Sequence, residues 1–577
     1  MPDSPAPTRA AAFFKKFTVL RSAPRELWII YFAYILENIA YKLSSGQMLP
    51  LWLTHDLGLS DTNKGLTIGI WSALMTFVTV LVGSLTDVVG IRRTFLLGFA
   101  ICIVARIGML ASVTPWVALS FGMCPLAVGL ALMTPVMTAA MKRYSTAAQR
   151  SVAFSLYYAL MNLGFAIGDR IFDYLRHVMG EYGNWILPVA GQSLSTYRVM
   201  IAWSVLFTVP GLVMTWLFLR DGVEMTEAGV RITPPVRAES AGLALVPSIS
   251  RNCGMIAAGM RRALGKSCRR IYLRKLAGWT LLYALALWVT AQCFEQGDSL
   301  SNWKWLFLVG VLGVLVAACL LVILRDIAAH SSETGAATVK IFEGLWRQPE
   351  FHRFLIFMVL VVGVRMIFLH LNYTMPDFAV RELGKGAPFA QVSSMLNSLL
   401  ILVLVPICGV LSQRISAYRM VSVGSLVSAL SVCFLALPPE LLRPLADGWL
   451  GDLIVHRWLE VAGPVNPLYI AIFLFTVALS IGEALWSPRL YEYAAAIAPK
   501  GQEASYMALS LLPYFFAKLG AGVLSGWLLA TFCPAAGPRH PTLIWAIVGG
   551  FALITPIGTF FFRKSIQVHE DGREDEV

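Results

Sequence analysis

Six ionisable residues stand deep inside long apolar runs: Glu37, Arg106, Arg365, His370, Glu483 and Lys518. A charge at the centre of a bilayer is costly and normally turns to a protein interior or a watery cavity. Each is therefore a candidate for solute binding or proton movement. Lys518 sits in Phe515-Phe-Ala-Lys518-Leu-Gly-Ala-Gly522, far from either end of its run, and requires a carboxylate or a bound anion beside it. Glu483, on the preceding run, is its expected partner. Glu37 is expected to face Arg365, and Arg106 to pair near the second span. Lys42 lies a little over one helical turn from Glu37 and is expected at most to pair locally. Two cations against two carboxylates would hold a zwitterion or a small organic anion. Protonating Glu37 or Glu483 would weaken its hold on a cation and shift a conformational balance. Tyr34, Tyr41, Tyr157, Trp486 and Tyr514 are the aromatic residues expected to line such a site, although most membrane aromatics serve packing or interfacial anchoring. His370 reads as a hydrogen-bonded wall residue rather than a proton relay. The plainer reading of these charges is a set of ion pairs that keep helices in register.

The elements that must position them are membrane helices. Charged residues make up 14% of the chain, against roughly 25% in a soluble domain, and hydrophobic residues 57%. Mean hydropathy is +0.68. A span needs about 20 apolar residues. Runs near 27–53, 63–86, 93–113, 115–141, 150–170 and 197–219 meet that need. Two more follow near 274–293 and 305–324, then six near 354–375, 388–411, 417–437, 467–497, 504–531 and 541–562. The pattern six, two, six predicts an all-α membrane protein of fourteen transmembrane helices: two six-helix bundles with an extra pair between them. The first run and the one ending at Ile497 exceed the hydrocarbon thickness, so Pro50 and Pro488 are expected to kink them. The segments are then 1–26, a six-helix bundle over 27–220, a basic linker with the extra pair over 221–353, a second bundle over 354–562, and an acidic tail over 563–577.

Lysine and arginine in short loops set the orientation. Lys15, Lys16, Arg21 and Arg25 precede the first span, Arg92 and Arg93 follow the second, and Lys142, Arg143 and Arg150 lie between the fourth and fifth. All fall on one side, so both termini are expected in the cytoplasm. Lys64, Arg381, Lys385 and Arg443 break the asymmetry. The run near 254–273 is amphipathic and basic and is expected to lie on the anionic inner leaflet. The net charge of +13 resides in loops, which does not suggest a nucleic-acid partner. The nine cysteines form no C-x-x-C pair, so no metal framework is expected. No phosphate-binding loop G-x-x-x-x-G-K-[ST], no H-E-x-x-H and no G-x-S-x-G occurs, so neither ATP-driven transport nor an enzyme is expected, and no cofactor.

Between the second and third spans stands Gly83-Ser-Leu-Thr-Asp87-Val-Val-Gly90-Ile-Arg92-Arg93, which reads G-x-x-x-D-x-x-G-x-R-R. Glycines permit a tight turn and close helix contact, and an aspartate at a helix end can pair with arginine. Such a charge latch can open and re-form as two bundles rock. The stretch resembles the loop signature of the major facilitator superfamily. Gly409-Val-Leu-Ser-Gln413-Arg414 is a decayed copy in the second half, as an internal repeat would leave.

Three further stretches resemble the proton-coupled oligopeptide transporters, in their prokaryotic fourteen-helix branch. Phe154-Ser-Leu-Tyr-Tyr158-Ala-Leu-Met-Asn162-Leu-Gly164 is similar to that family's fifth-helix pattern F-S-x-F-Y-x-x-I-N-x-G. Gly482-Glu483-Ala-Leu-Trp-Ser487-Pro488 is similar to its tenth-helix pattern G-E-x-x-x-S-P. Gly129-Leu-Ala-Leu-Met-Thr134-Pro135 resembles its fourth-helix pattern G-x-G-x-x-K-P. The family's first helix carries E-x-x-E-R, part of its proton coupling; here Tyr34 and Glu37-Asn38 take those places, followed by Tyr41. The family's fourth-helix lysine, which serves proton coupling and carboxylate binding, is Thr134. The resemblance implies alternating access by a functional monomer in a bacterial-type inner membrane, with protons as the coupling ion and a peptide-like solute. It also implies that Glu483 pairs with a substrate amine or a facing cation. A non-peptide substrate (an organic anion, a cell-wall fragment or an amphipathic compound) and a non-transporting sensor are the alternatives.

Overall fold

The computed structural model describes residues 18–89, 91–186, 193–226, 229–232, 349–411, 415–497 and 512–566. The spans expected near 274–293 and 305–324, the basic run at 254–273 and the tail from 568 lie outside the described residues.

The first half consists of α1 (Arg25–Ser44), α2 (Met48–His55), α3 (Asp61–Val89), α4 (Ile91–Ala111), α5 (Cys124–Arg143), α6 (Ala147–Met179) and α7 (Thr196–Phe218). The second consists of α8 (Pro349–Tyr373), α9 (Met375–Leu383), α10 (Leu396–Leu411), α11 (Ala417–Ser431), α12 (Pro467–Ile497), α13 (Leu512–Phe532) and α14 (Pro541–Phe561). Among the described residues, ten helices are long and apolar enough to cross a membrane. The chain alternates between two faces. We call the face where α1 begins proximal and the opposite one distal.

Each half forms its own bundle. In the first, α1 packs on α6 and α7, and α4 on α5 and α7; in the second, α11 packs on α12 and α14, and α8 on α13 and α14. Between bundles, α3 lies along α13 and α6 along α10. The leading helix of each bundle is broken near its distal end, α1 from α2 at residues 45–47 and α8 from α9 at Thr374. The two outer pieces, α2 and α9, pack on each other across the bundle boundary. Pro50 falls in the first turn of α2, where proline is tolerated, so the chain divides ahead of it rather than at it. Pro488 lies inside a helix that continues through it.

Close glycine contacts fix two of these pairings. A Cβ on Gly164 would stand 2.7 Å from Asn38 Cβ, and one on Gly168 2.6 Å from Lys42 Cβ, so this G-x-x-x-G step lets α6 lie directly on α1. Between bundles, a Cβ on Gly522 would stand 2.4 Å from the Gly65 carbonyl oxygen and 2.4 Å from Gly69 Cα. The helix α6 also runs further than the expected span at 150–170. A Thr146/Gln149 capping box starts it, and it continues to Met179. That extension carries Asp169, Arg170, Asp173 and Arg176 on the helix towards the distal face.

Candidate functional site

Three of the span charges converge where the two bundles meet. Glu483 is on α12, Arg365 on α8 and Lys518 on α13. At about 1.5 Å per residue, Glu483 lies about 24 Å and Lys518 about 21 Å from the distal ends of their helices, and Arg365 about 12 Å from the end of α8, beyond which α9 continues distally, so all three are near mid-membrane. Tyr158 of α6 donates its hydroxyl to Glu483 Oε1 at 3.4 Å, across the bundle boundary. Asn397 of α10 donates to Glu483 Oε2 at 3.0 Å and to Ser480 at 3.0 Å. The Arg365 guanidinium lies 4.9 Å from the Tyr514 ring centre and 5.7 Å from Trp486. The Lys518 ammonium lies 4.9 Å from the same Tyr514 ring. Both contacts are of the cation–π kind. Trp486 is held by a hydrogen bond from its indole to Ser428 at 3.2 Å.

The first bundle contributes tyrosines. Tyr34 and Tyr157 stack at 4.9 Å and share a hydroxyl hydrogen bond of 2.9 Å. Asn38 and Asn162 turn back on their own helices, donating to the carbonyls of Tyr34 at 2.7 Å and Tyr158 at 2.9 Å. Tyr41 packs against Phe165. The site is thus a wall of cations and one carboxylate on the second bundle facing hydroxyls on the first.

Three expected pairings are not formed. Glu37 does not face Arg365. It forms a bidentate pair with Arg106, at 2.7 and 3.1 Å, and Arg106 is fully buried. Ser44 accepts from Arg106 Nε at 3.1 Å, and Thr208 closes the cluster against both charges. This pair ties α1, α4 and α7 inside one bundle and is sealed from the site. Arg106 therefore finds its partner on the first span rather than near the second. Lys518 and Glu483 are likewise not an ion pair, since Asn397 and Tyr158 occupy the Glu483 oxygens. His370 is fully buried and shares a hydrogen bond of 2.7 Å with Thr374, which donates onward to Ser525.

Of the loop signature, Arg92 bonds Asp221 at 3.3 Å and the Trp216 carbonyl at 2.8 Å, within its own bundle, and Arg93 is exposed on the proximal face. Gly83 and Asp87 belong to α3, but the Asp87 side chain lies outside the described residues, as do Gly90 and the Thr134 side chain.

Sequence reasoning passed over three clusters that close the distal side. Lys42 of α1 pairs with Asp169 of α6 at 3.0 Å and donates to Ser394 of the other bundle. Arg381 of α9 holds Asp61 of α3 through bonds of 2.7 and 3.0 Å, while Lys64, 1% exposed, bridges Asp61 at 2.9 Å and Asp377 at 2.8 Å. Arg176 joins Asp173 and Glu181 and donates to the Ala387 carbonyl, while the backbone N–H groups of Gly386 and Gln391 donate to Glu181 and Asp173. Burial alone would raise the Glu181 carboxyl, which lies beyond the end of α6, but Arg176, Tyr197 and the Gly386 N–H outweigh it and hold its pKa below the usual value. A signal for these residues exists in the sequence: Lys64 and Arg381 are two of the four that violate the basic-loop rule.

The description Major Facilitator Superfamily matches residues 27–292. No curated protein sequence matches the chain. Among solved structures, a POT family transporter in complex with a thioalcohol-conjugated peptide superposes with a TM-score of 0.60 at 16% identity, covering 95% of this chain and 100% of that one. A POT family transporter in complex with 5-aminolevulinic acid gives 0.60 at 16%, over 94% and 97%. A bacterial homologue of the human drug peptide transporters PepT1 and PepT2 gives 0.56 at 18%, over 94% and 97%. The chain has the major facilitator fold, and within that fold it resembles the proton-coupled oligopeptide transporters.

Proposed function

We propose that this chain is a secondary transporter that carries a small polar or zwitterionic solute, peptide-like in its placement of charge, by proton-coupled alternating access. One observation carries the reading: a carboxylate and two cations meet at mid-membrane, on the boundary between two bundles whose distal halves are clamped together. A solute amine would exchange with the donors on Glu483, and a solute carboxylate would approach the cations beside Tyr514. The basic residues Arg92, Arg93, Lys142 and Arg143 make the proximal face the cytoplasmic one, so the distal-closed arrangement corresponds to access from inside. With Glu37 sealed against Arg106, the carboxylate left among the described residues to couple protons at the site is Glu483. Protonating it removes its attraction for an amine or for Arg365 and shifts the balance between the two access states.

The test is uptake by the purified chain in sealed proteoliposomes. The wild type should accumulate a zwitterionic dipeptide such as Ala-Ala under an inward proton gradient, and a protonophore should abolish accumulation. Glu483→Gln should lose at least about tenfold of the gradient-driven rate. Absence of flux for dipeptides, amino acids and organic acids alike would refute the transport reading. Undiminished gradient dependence in Glu483→Gln would refute the role given to that carboxylate.

A further inference from the structure

Lys518 poses a problem that the ion pairs of the molecule do not solve. It is 8% exposed, and among the described residues no carboxylate comes within ion-pair distance of it. Its ammonium lies beside the Tyr514 ring, one helical turn away. Four other buried cations have carboxylate partners: Arg106 is matched by Glu37, Lys42 by Asp169, Lys64 by Asp61 and Asp377, and Arg176 by Asp173 and Glu181. A buried charge without a counter-charge is among the most expensive features a fold can keep. Lys518 also stands at the bundle boundary, since the would-be Cβ of Gly69 on the opposing bundle lies 3.4 Å from the Lys518 backbone carbonyl oxygen.

Glu483 is the site's acidic group, and it already lies within the electrostatic reach of Arg365. Removing Glu37 from the site leaves these three charges with a positive excess. A neutral zwitterion adds one charge of each sign and leaves the excess where it was. A solute with one further anionic group cancels it. The two cations that the resembling family would use on the first bundle are Asn38 and Thr134 here. The cations of this site, Arg365 and Lys518, lie on the second bundle with the carboxylate.

We propose that Lys518 and the Tyr514 ring form the subsite for an anionic group of the solute, a carboxylate by chemistry, and that the protein prefers solutes of net negative charge, such as acidic dipeptides, over neutral zwitterions. This inference rests on the central site being the solute site. Both ends of the solute are then read by one bundle, and the first bundle supplies hydroxyl contacts.

The experiment measures binding to the purified full chain in detergent, by thermal shift and calorimetry, with Ala-Asp, Ala-Ala, Ala-Lys and succinate as probes. Ala-Asp should bind at least about tenfold more tightly than Ala-Ala, and Ala-Lys most weakly. Lys518→Met should bring Ala-Asp down to the level of Ala-Ala, and Lys518→Arg should retain part of the preference. Because the substitution removes an uncompensated buried charge, Lys518→Met without ligand should melt no lower than wild type, which separates loss of binding from loss of fold. Succinate binding that depends on Lys518, with no dipeptide binding, supports the anionic subsite and overturns the peptide-like solute. Equal binding of Ala-Asp and Ala-Ala to the wild type, an unchanged preference in Lys518→Met, or no binding of any probe overturns the inference. Failure of the transport reading is a separate result: anion binding that needs Lys518 but no flux in vesicles.

Discussion

Replacing Gly522 by alanine places a methyl group 2.4 Å from the Gly65 carbonyl oxygen and 2.4 Å from Gly69 Cα. Both are backbone atoms, so no side chain can rotate away. The contact joins α13 to α3, that is, one bundle to the other, and lies in neither bundle's own interior. The substitution should therefore act on the balance between distal-closed and distal-open states rather than on stability. Overpacking a close contact costs about 1–3 kcal/mol. At roughly 1.4 kcal/mol per tenfold, the distal-closed population should fall between about fivefold and somewhat over a hundredfold relative to the open one. The rigid backbone on both sides argues for the upper part of that range.

Spin labels at Ser60 and Ala536, both exposed in distal loops of opposite bundles, report the opening as a distance distribution. The wild type should be dominated by a short distance, and Gly522→Ala should move most of the population to a longer one. Gly520→Ala is the control on the same helix, because its Cβ would meet nothing within 4 Å. If Gly522→Ala leaves the distances unchanged, or if Gly520→Ala shifts them equally, the packing argument is wrong.

Two further outcomes follow from the charge clusters. Glu37→Gln leaves Arg106 buried without its partner, which should cost about 3–5 kcal/mol and lower the melting temperature, while Glu37→Gln with Arg106→Met should recover most of it. A single variant with wild-type melting and an altered pH profile of uptake would instead make Glu37 a proton carrier. For Glu181, the folded pKa lies below the unfolded one, so its contribution to the distal lock is fully present above about pH 4.3 and is lost only as pH falls through the folded value. Glu181 should therefore add nothing to any change in the distal distance between pH 7.5 and 5.5, so that the wild type and Glu181→Gln respond alike over that interval. Opening over that interval, abolished by Glu181→Gln, would show that the carboxylate titrates there.

The architecture was legible because bilayer thickness constrains it: a run of apolar residues near 197–219 or 541–562 has one way to satisfy its backbone, and the helices Thr196–Phe218 and Pro541–Phe561 follow. The gathering of Glu483, Arg365 and Lys518 was legible for a similar reason, since charges in lipid must turn inward. Partner choice was not. Glu37 could meet Arg106 or Arg365 by depth alone, and the decision lies in how α1 rotates when Gly164 and Gly168 bring α6 against it, with α4 and α7 closing the other side. The expected span stops at 170, and α6 continues to Met179 because its charged residues Asp169, Arg170, Asp173 and Arg176 are accommodated within the helix. They are tolerated on a helix because each acid and base there finds a partner on α1 of the same bundle, across the bundle boundary or one turn away.

The charges fall into two kinds that matter differently when the bundles move. The Glu37–Arg106 pair lies within one bundle, so rocking leaves it intact and it contributes equally to both access states. Asp61–Arg381, Lys64–Asp377 and the Arg176 bond to the Ala387 carbonyl cross the boundary and must break for the distal side to open. An interaction present in both states shifts no equilibrium, whatever its strength. Only the second kind can set which state is populated, and only a solute or proton that interacts unequally with the two states can oppose it. Lys518 belongs to neither kind. Its ion pair is not supplied by the described protein groups, so binding an anion there is free to differ between the states, which is the property a coupled carrier requires of its site.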